Sequence, residues 1–291
     1  MKSQSGQAVL IVLLSMVVVL TIVLSVIAGA TSDVKISGNE TSSLRAFSAA
    51  ESGIEKALIT NLATSGNVNS GASFNATVTS LALGDSSFVY PGTIASGDAG
   101  FLWFVSHSNT GALTCVGNTC FTGRILKFCW GAPGTVYNLP TTPAIEVTVF
   151  YLTTPGNYTT IKFLKGIYDP NAPRVAANGY IAAGGVCTVK GVTFAFQAQI
   201  DVGGVVPAGS YGVQNGLQFA SIKMLYNTDL PQPLAVDVNF AGNSALPTQG
   251  SKVESTGTLN QTTRKIQVIK GYNQIPPIFD SAVFSPGSIA Q

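Results

Sequence analysis

The chain has 291 residues, with 15 Lys plus Arg against 13 Asp plus Glu, so its net charge is +2. That balance excludes the clustered basic face a nucleic-acid binder needs, and no nucleic-acid partner is expected. Charged residues are 10% and hydrophobic residues 46% of the chain, which is neither a disordered composition nor the Lys- and Glu-rich surface of a cytosolic enzyme. A single histidine, His107, makes His-centred catalysis and multi-His metal sites poor expectations.

The opening MKSQSG is followed by a run without charge from Ala8 to Ala30. These 23 residues make about 35 Å of helix, enough to cross a hydrocarbon core of about 30 Å. Ser15, Thr21 and Ser25 can return their hydroxyls to helix carbonyls. A cleaved secretory signal has a shorter apolar region, so a retained span is expected. Lys2 precedes the span and favours N-in, leaving the rest of the chain outside the cytoplasm. The expected location is a single-pass cytoplasmic membrane protein with an extracytoplasmic C-terminal domain.

Beyond the span, Leu44, Phe47, Ala50, Ile54 and Leu58 recur at helical spacing, with Arg45, Glu51, Glu55 and Lys56 on or near the other face. The expectation is one helix over 7–63, with 8–30 transmembrane and the remainder amphipathic. Gly29, Gly38 and Gly53 lie inside it, and a kink or melted turn near Gly38 is expected from their poor helix propensity. The other reading is a membrane anchor followed by a separate surface helix.

The leader ending in Gly6, the apolar span directly after it and the block FSAAESGIEKAL from Phe47 to Leu58 together resemble the N-terminal region of type IV pilin-like proteins. The resemblance is to PilX-type minor pilins and related minor pseudopilins, and it covers roughly residues 1–60. It implies a prepilin peptidase cut between Gly6 and Gln7, methylation of the new amine, and packing in a helical filament. Phe47, Glu51 and Ile54 are the expected filament-packing residues. The implied partners are the lipid membrane, other pilin subunits, the prepilin peptidase and an assembly platform. Major pilins begin with Phe and carry Glu at the fifth mature position, where this chain has Gln7 and Ile11. That departure points to a minor subunit that initiates, caps or tips a type IV pilus or type II secretion-like filament, with adhesion among the expected roles. After assembly such a subunit is at the cell surface. The alternative is a membrane-anchored extracytoplasmic binding or adhesion module that never enters a filament.

From residue 67 the pattern changes to period two with frequent turns. Strands are expected at 101–106, 124–130, 144–152, 158–167, 192–200, 218–225, 234–240, 252–255 and 265–269. Both faces of 144–152 are apolar, which marks a central strand. The fold class is α+β: a long N-terminal helix and a β-rich region, sandwich-like or in two β-subdomains. DPNAPR at 169–174 is the best internal boundary, dividing 67–171 from 172–291 after the leader 1–6 and the helix 7–63. Val253–Lys270 reads as a hairpin. Its STG motif, and the closing PPIFDSAVFS, also resemble pilin-like proteins.

In TCVGNTC, Gly117-Asn118 is a two-residue turn signal with Val116 and Thr119 flanking it. Cys115 and Cys120 then face each other at a Cα separation of about 4.5 Å, within disulfide range. Cys129–Cys187 follows by elimination and would tie the two halves together. Zinc is disfavoured because the spacing is wrong and His107 is alone. His107 reads as a polar loop residue. No nucleophile-elbow, P-loop or EF-hand pattern is present, so no catalytic residue, metal or cofactor is expected. The N-x-[ST] tripeptides at Asn39, Asn75, Asn157 and Asn260 arise readily by chance in so Asn- and Thr-rich a chain.

Overall fold

The computed structural model describes residues 5–69, 71–108, 110–116 and 120–273. In chain order α1 (Ser5–Thr60) leads into β1 (Thr64–Asn67), β2 (Ser73–Ser80), β3 (Ser87–Ile94), β4 (Ala99–Trp103), β5 (Ser106–His107), β6 (Leu113–Thr114), β7 (Ile125–Trp130), β8 (Ala144–Leu152) and β9 (Ile161–Asp169). Then come α2 (Ala172–Asn178), β10 (Ile181–Ala182), β11 (Cys187–Val189), β12 (Val192–Phe194), β13 (Phe196–Asp201), α3 (Ala208–Tyr211), β14 (Leu217–Leu225), β15 (Gln232–Asp237), β16 (Gly250–Leu259) and β17 (Thr262–Gly271). The chain forms two compact units. One is Met1–Val78 with Val253–Val268, and the other is Thr79–Lys252 with the residues from Ile269 onward.

In the first unit α1 runs unbroken from Ser5 to Thr60. The break expected near Gly38 is not there. A Cβ at Gly38 would meet nothing within 4 Å, and one glycine costs only about 1 kcal/mol against the cooperative ladder around it. The helix ends three residues before the expected 63. Asn61 takes the left-handed conformation (φ 53°) and its N–H donates to the Ala57 carbonyl at 2.8 Å, an αL stop that Asn tolerates. The lower half of α1 packs on an antiparallel sheet of order β1-β2-β16-β17. Its buried stripe is Ala46, Ala49, Ala50, Gly53, Ile54 and Ala57. Small residues let the backbones approach closely. A Cβ on Gly257 of β16 would land on the Ala46 carbonyl oxygen, and one on Gly53 would collide with Ser255 and the Phe74 ring.

The second unit is a β-sandwich. A five-stranded sheet, β10-β9-β8-β14-β4, faces a four-stranded sheet, β13-β7-β15-β3. β8 is the middle strand of the larger sheet, as its two-sided apolar pattern implies. Between the sheets lies one core to which both contribute: Leu126, Phe128 and Trp130 of β7 and Leu234 and Val236 of β15 meet Val147 and Val149 of β8 and Ile222 and Met224 of β14. Burying a side chain of this size contributes about 1.5–3 kcal/mol. β3 is an edge strand, which is where Pro91 is tolerated.

DPNAPR does not divide the fold. Asp169 ends β9, Asn171 caps α2 by accepting from the Arg174 N–H at 3.1 Å, and Pro173 sits in the first helical turn. Turn formers here build a corner inside the sandwich unit. The division instead falls in β2 and β16, because the C-terminal hairpin β16–β17 returns to pair with β2 beside α1.

Candidate functional site

Helix α1 is the candidate assembly surface. From Val9 to Ile27 every large apolar side chain is exposed, for example Leu14 at 66% and Met16 at 69%. The helix is long and apolar enough to cross a membrane, and its apolar window has no residue covered by the rest of the chain. The hydroxyls in this stretch are satisfied within the helix: Ser15 Oγ donates to the Val12 carbonyl at 2.9 Å and Thr21 Oγ1 to the Val18 carbonyl at 2.8 Å. Thr31 Oγ1 does the same with the Ala28 carbonyl at 2.9 Å. A surface of this kind is stable only in lipid or against other apolar helices. Gly6 and Gln7 lie in the first turn of α1, where the backbone N–H groups lack helical partners.

The lower half of α1 has two faces, and they divide the expected filament-packing residues. Phe47 is 45% exposed, and Leu44 and Glu51 are exposed beside it. Ile54 is buried, packed with Ala57, Ala76 and Val253. Ile54 therefore belongs to the chain's own core, unlike the exposed Phe47 and Glu51 with which it was grouped. Leu44 and Phe47 share the apolar spacing of Ala50 and Ile54, but the sheet takes the small-residue stripe and leaves the larger side chains out. Arg45 and Glu55 are exposed as well. Next to this face, Arg264 Nε of β17 donates to Ser43 Oγ at 2.7 Å.

The cysteines lie in the sandwich unit. Cys115 and Cys120 are disulfide-bonded with a Cα separation of 5.5 Å, wider than the facing-pair geometry that suggested the bond. The strand leading to Cys115 pairs elsewhere: Thr114 sits opposite Ser106 and Leu113 opposite His107. The expected Gly117-Asn118 turn and Thr119 lie outside the described residues. Cys129 and Cys187 are bonded at 5.9 Å between Cα atoms, both buried. This bond fastens the β11–β12 hairpin to β7, with Val189, Phe194 and Ala235 around it. It joins the expected 67–171 and 172–291 segments, and both cysteines lie within one unit. It closes a loop with a sequence separation of 58, so the loop-entropy relation gives about 4 kcal/mol. Replacing both cysteines by alanine is expected to lower stability by about that amount, read as a fall in denaturation midpoint.

His107 is not a loop residue. It lies on β5, its ring edge-on to Trp103 at 4.5 Å and stacked on Tyr272 at 3.6 Å. Burial lowers its pKa from 6.5 to about 4. The unfolded imidazole takes its proton near pH 6.5, the folded one only near pH 4. The stability this provides is full above about pH 6.5 and is lost as the pH falls through that window. Melting temperature should therefore decline from pH 6.5 to 4, and His107→Phe should flatten that decline. Sequence reading missed this cluster because its three rings share no motif, His107 and Tyr272 being 165 positions apart.

Residues 5–55 match the family model described as PilX N-terminal. No curated protein and no solved structure matches the chain. The N-terminal segment is thus similar to the N-terminal region of PilX-type pilins. The apolar α1 followed by a β-rich region is an α+β architecture.

Proposed function

We propose that this chain is a minor subunit of a type IV pilus or type II secretion-like filament, acting in initiation, capping or at the tip. The observation that carries the reading is the apolar upper half of α1, exposed on all sides and continuous with a lower half anchored on its own sheet. Before assembly the span rests in the cytoplasmic membrane with the β-rich units outside. On assembly it exchanges lipid for the helices of neighbouring subunits, and Leu44, Phe47 and Glu51 extend that contact along the free face. A prepilin peptidase acting between Gly6 and Gln7 and an assembly platform are the implied partners. Ile11 at the fifth mature position supplies no carboxylate to a neighbour's amine, which supports a specialised place over that of a bulk subunit. The role is structural.

Intact mass on native protein from membranes and from sheared surface material tests this. The expected result is loss of residues 1–6 plus one methyl group, with the protein in the sheared fraction. Gly6→Val is expected to retain residues 1–6 and to remain wholly in the membrane fraction. Wild-type protein that keeps Met1 and never appears in sheared material overturns the reading and leaves an anchored module.

A further inference from the structure

The charges on the lower half of α1 stand in two straight rows. Eleven residues separate Glu40 from Glu51, and eleven separate Arg45 from Lys56. Eleven residues are close to three full turns, so each pair lies along one side of the helix, about 16 Å apart. Each of these bases follows an acid by five positions, which turns it about 140° around the axis. All four side chains are exposed. No charged residue of α1 has an opposite charge three or four positions away, the spacing at which a helix pairs its own charges. Among the described residues none of the four makes an ion pair, and Lys56 Nζ stands over the Phe74 ring at 5.5 Å.

Two rows of equal spacing and opposite sign fit a second copy of the same helix. Copies anchored in one membrane with the same orientation present their α1 helices in parallel. Sliding one parallel copy by five residues, about 7.5 Å along the axis, brings its Arg45 level with Glu40 of the first copy and its Lys56 level with Glu51. No other axial displacement sets two opposite charges of α1 level. At zero displacement every charge meets its own like, and at eleven residues Glu40 meets Glu51 and Arg45 meets Lys56, which is unfavourable. An antiparallel pair could equal the spacing only with acids and bases on one side of the helix, where they do not stand. At the five-residue stagger the exposed Phe47 comes level with Ser52 of the second copy, a small side chain. Leu44 and Phe47 flank the acid row, so the ion pairs form beside apolar area and are screened less than free surface charges.

We propose that α1 of this chain packs against α1 of a second copy, parallel and staggered by five residues, through Glu40–Arg45 and Glu51–Lys56 ion pairs. Acids and bases stand on different sides of the helix, so each copy offers its acids to one neighbour and its bases to another. The contact is therefore heterologous and repeats along an assembly. It rests on the filament reading for the shared orientation of the helices.

Crosslinking of the full-length protein in membranes tests it, since all four native cysteines are disulfide-bonded. Glu51→Cys in one tagged copy and Lys56→Cys in another are oxidised together and read on a non-reducing gel. The mixed dimer is expected at least five-fold above either homodimer, and Glu40→Cys with Arg45→Cys should behave alike. Adding Glu51→Lys to the Glu40→Cys copy should cut the 40–45 crosslink at least three-fold. Adding Lys56→Glu to the Arg45→Cys copy should then restore it. The proposal is overturned if homodimers equal the mixed dimer, if Arg45→Cys with Glu51→Cys crosslinks as strongly, if no pair exceeds background, or if the charge swap restores nothing. Leader cleavage and recovery in sheared material are scored separately on the parent. A parent that is cut and sheared while the 51–56 crosslink stays at background keeps the filament and loses the stagger. A parent that keeps Met1 while the crosslink forms keeps the helix contact and loses the filament.

Discussion

Gly257→Ala is expected to destabilise the helix-bearing unit by about 3 kcal/mol, the upper end of what overpacking costs. The added Cβ would fall on the Ala46 carbonyl oxygen and close to the Ala50 backbone nitrogen. Both are main-chain atoms of α1, so no side-chain rotation relieves the clash. Either the helix lifts from β16 or β16 bends away from its partners. In both cases the packing of Ala49 with Phe74, and of Ile54 with Val253, is weakened. The readout is trypsin cleavage after Arg45 and Lys56, slow in the parent and fast in the variant. Gly271→Ala is the control, since a Cβ there meets nothing within 4 Å and open surface positions shift stability by at most about 0.5 kcal/mol. Gly38→Ala should act in the opposite sense, adding about 1 kcal/mol of helix propensity at an open position. If Gly257→Ala melts like Gly271→Ala, the close approach of helix and strand is not a feature of the folded protein.

The same contact accounts for what the sequence did and did not disclose about the helix. The span was legible from 23 uncharged residues, because an apolar run of that length matches the thickness of a bilayer and exceeds what a buried core helix needs. The direction in which the lower half faces was not. Large apolar side chains suggested a stripe of Leu44, Phe47, Ala50, Ile54 and Leu58; α1 seats itself through Ala50 and Ile54 of that stripe together with Ala46, Ala49, Gly53 and Ala57, and leaves Leu44 and Phe47 out. Periodicity weighs residues by hydrophobicity, whereas flat packing on a sheet selects for absence of bulk. Phe47 and Leu44 thereby remain outside. In the β-rich part, 144–152 was recognised to the residue because its apolar run is strong on both faces. β3 escaped because Pro91-Gly92 interrupts its alternation, and β2 because only Phe74, Ala76 and Val78 alternate among small polar residues. The ring cluster around His107 was illegible on different grounds. Tyr272 joins it from 165 positions away in sequence, and a contact at that range is not written in any local window.

The corner that sequence reading took for a boundary supplies the second large effect. Asp169 is fully buried and accepts from Arg174 Nε at 2.8 Å, from Arg174 Nη2 at 2.9 Å and from the Asn171 N–H at 2.7 Å. Arg174 also donates to the carbonyls of Pro140 at 2.8 Å and Thr142 at 2.6 Å, and its guanidinium lies 4.0 Å from the centre of the Tyr226 ring. Asn171 ties the same corner to the Leu139 carbonyl at 3.0 Å. Every strong polar group here has a partner, which is the condition under which a buried ion pair holds its place. Asp169→Ala leaves the Arg174 charge largely buried without its counter-ion and is expected to cost about 3–5 kcal/mol, read from chemical denaturation. Arg174→Met strands the carboxylate and should cost a similar amount. Asp169→Leu combined with Arg174→Met removes both charges together, so it should cost clearly less than the two single substitutions added. Strict additivity would mean that the two side chains act separately. Strong coupling would mean that this stretch, where an internal boundary was expected, is a fastening point that holds the 139–142 loop to the end of β9 and the start of α2.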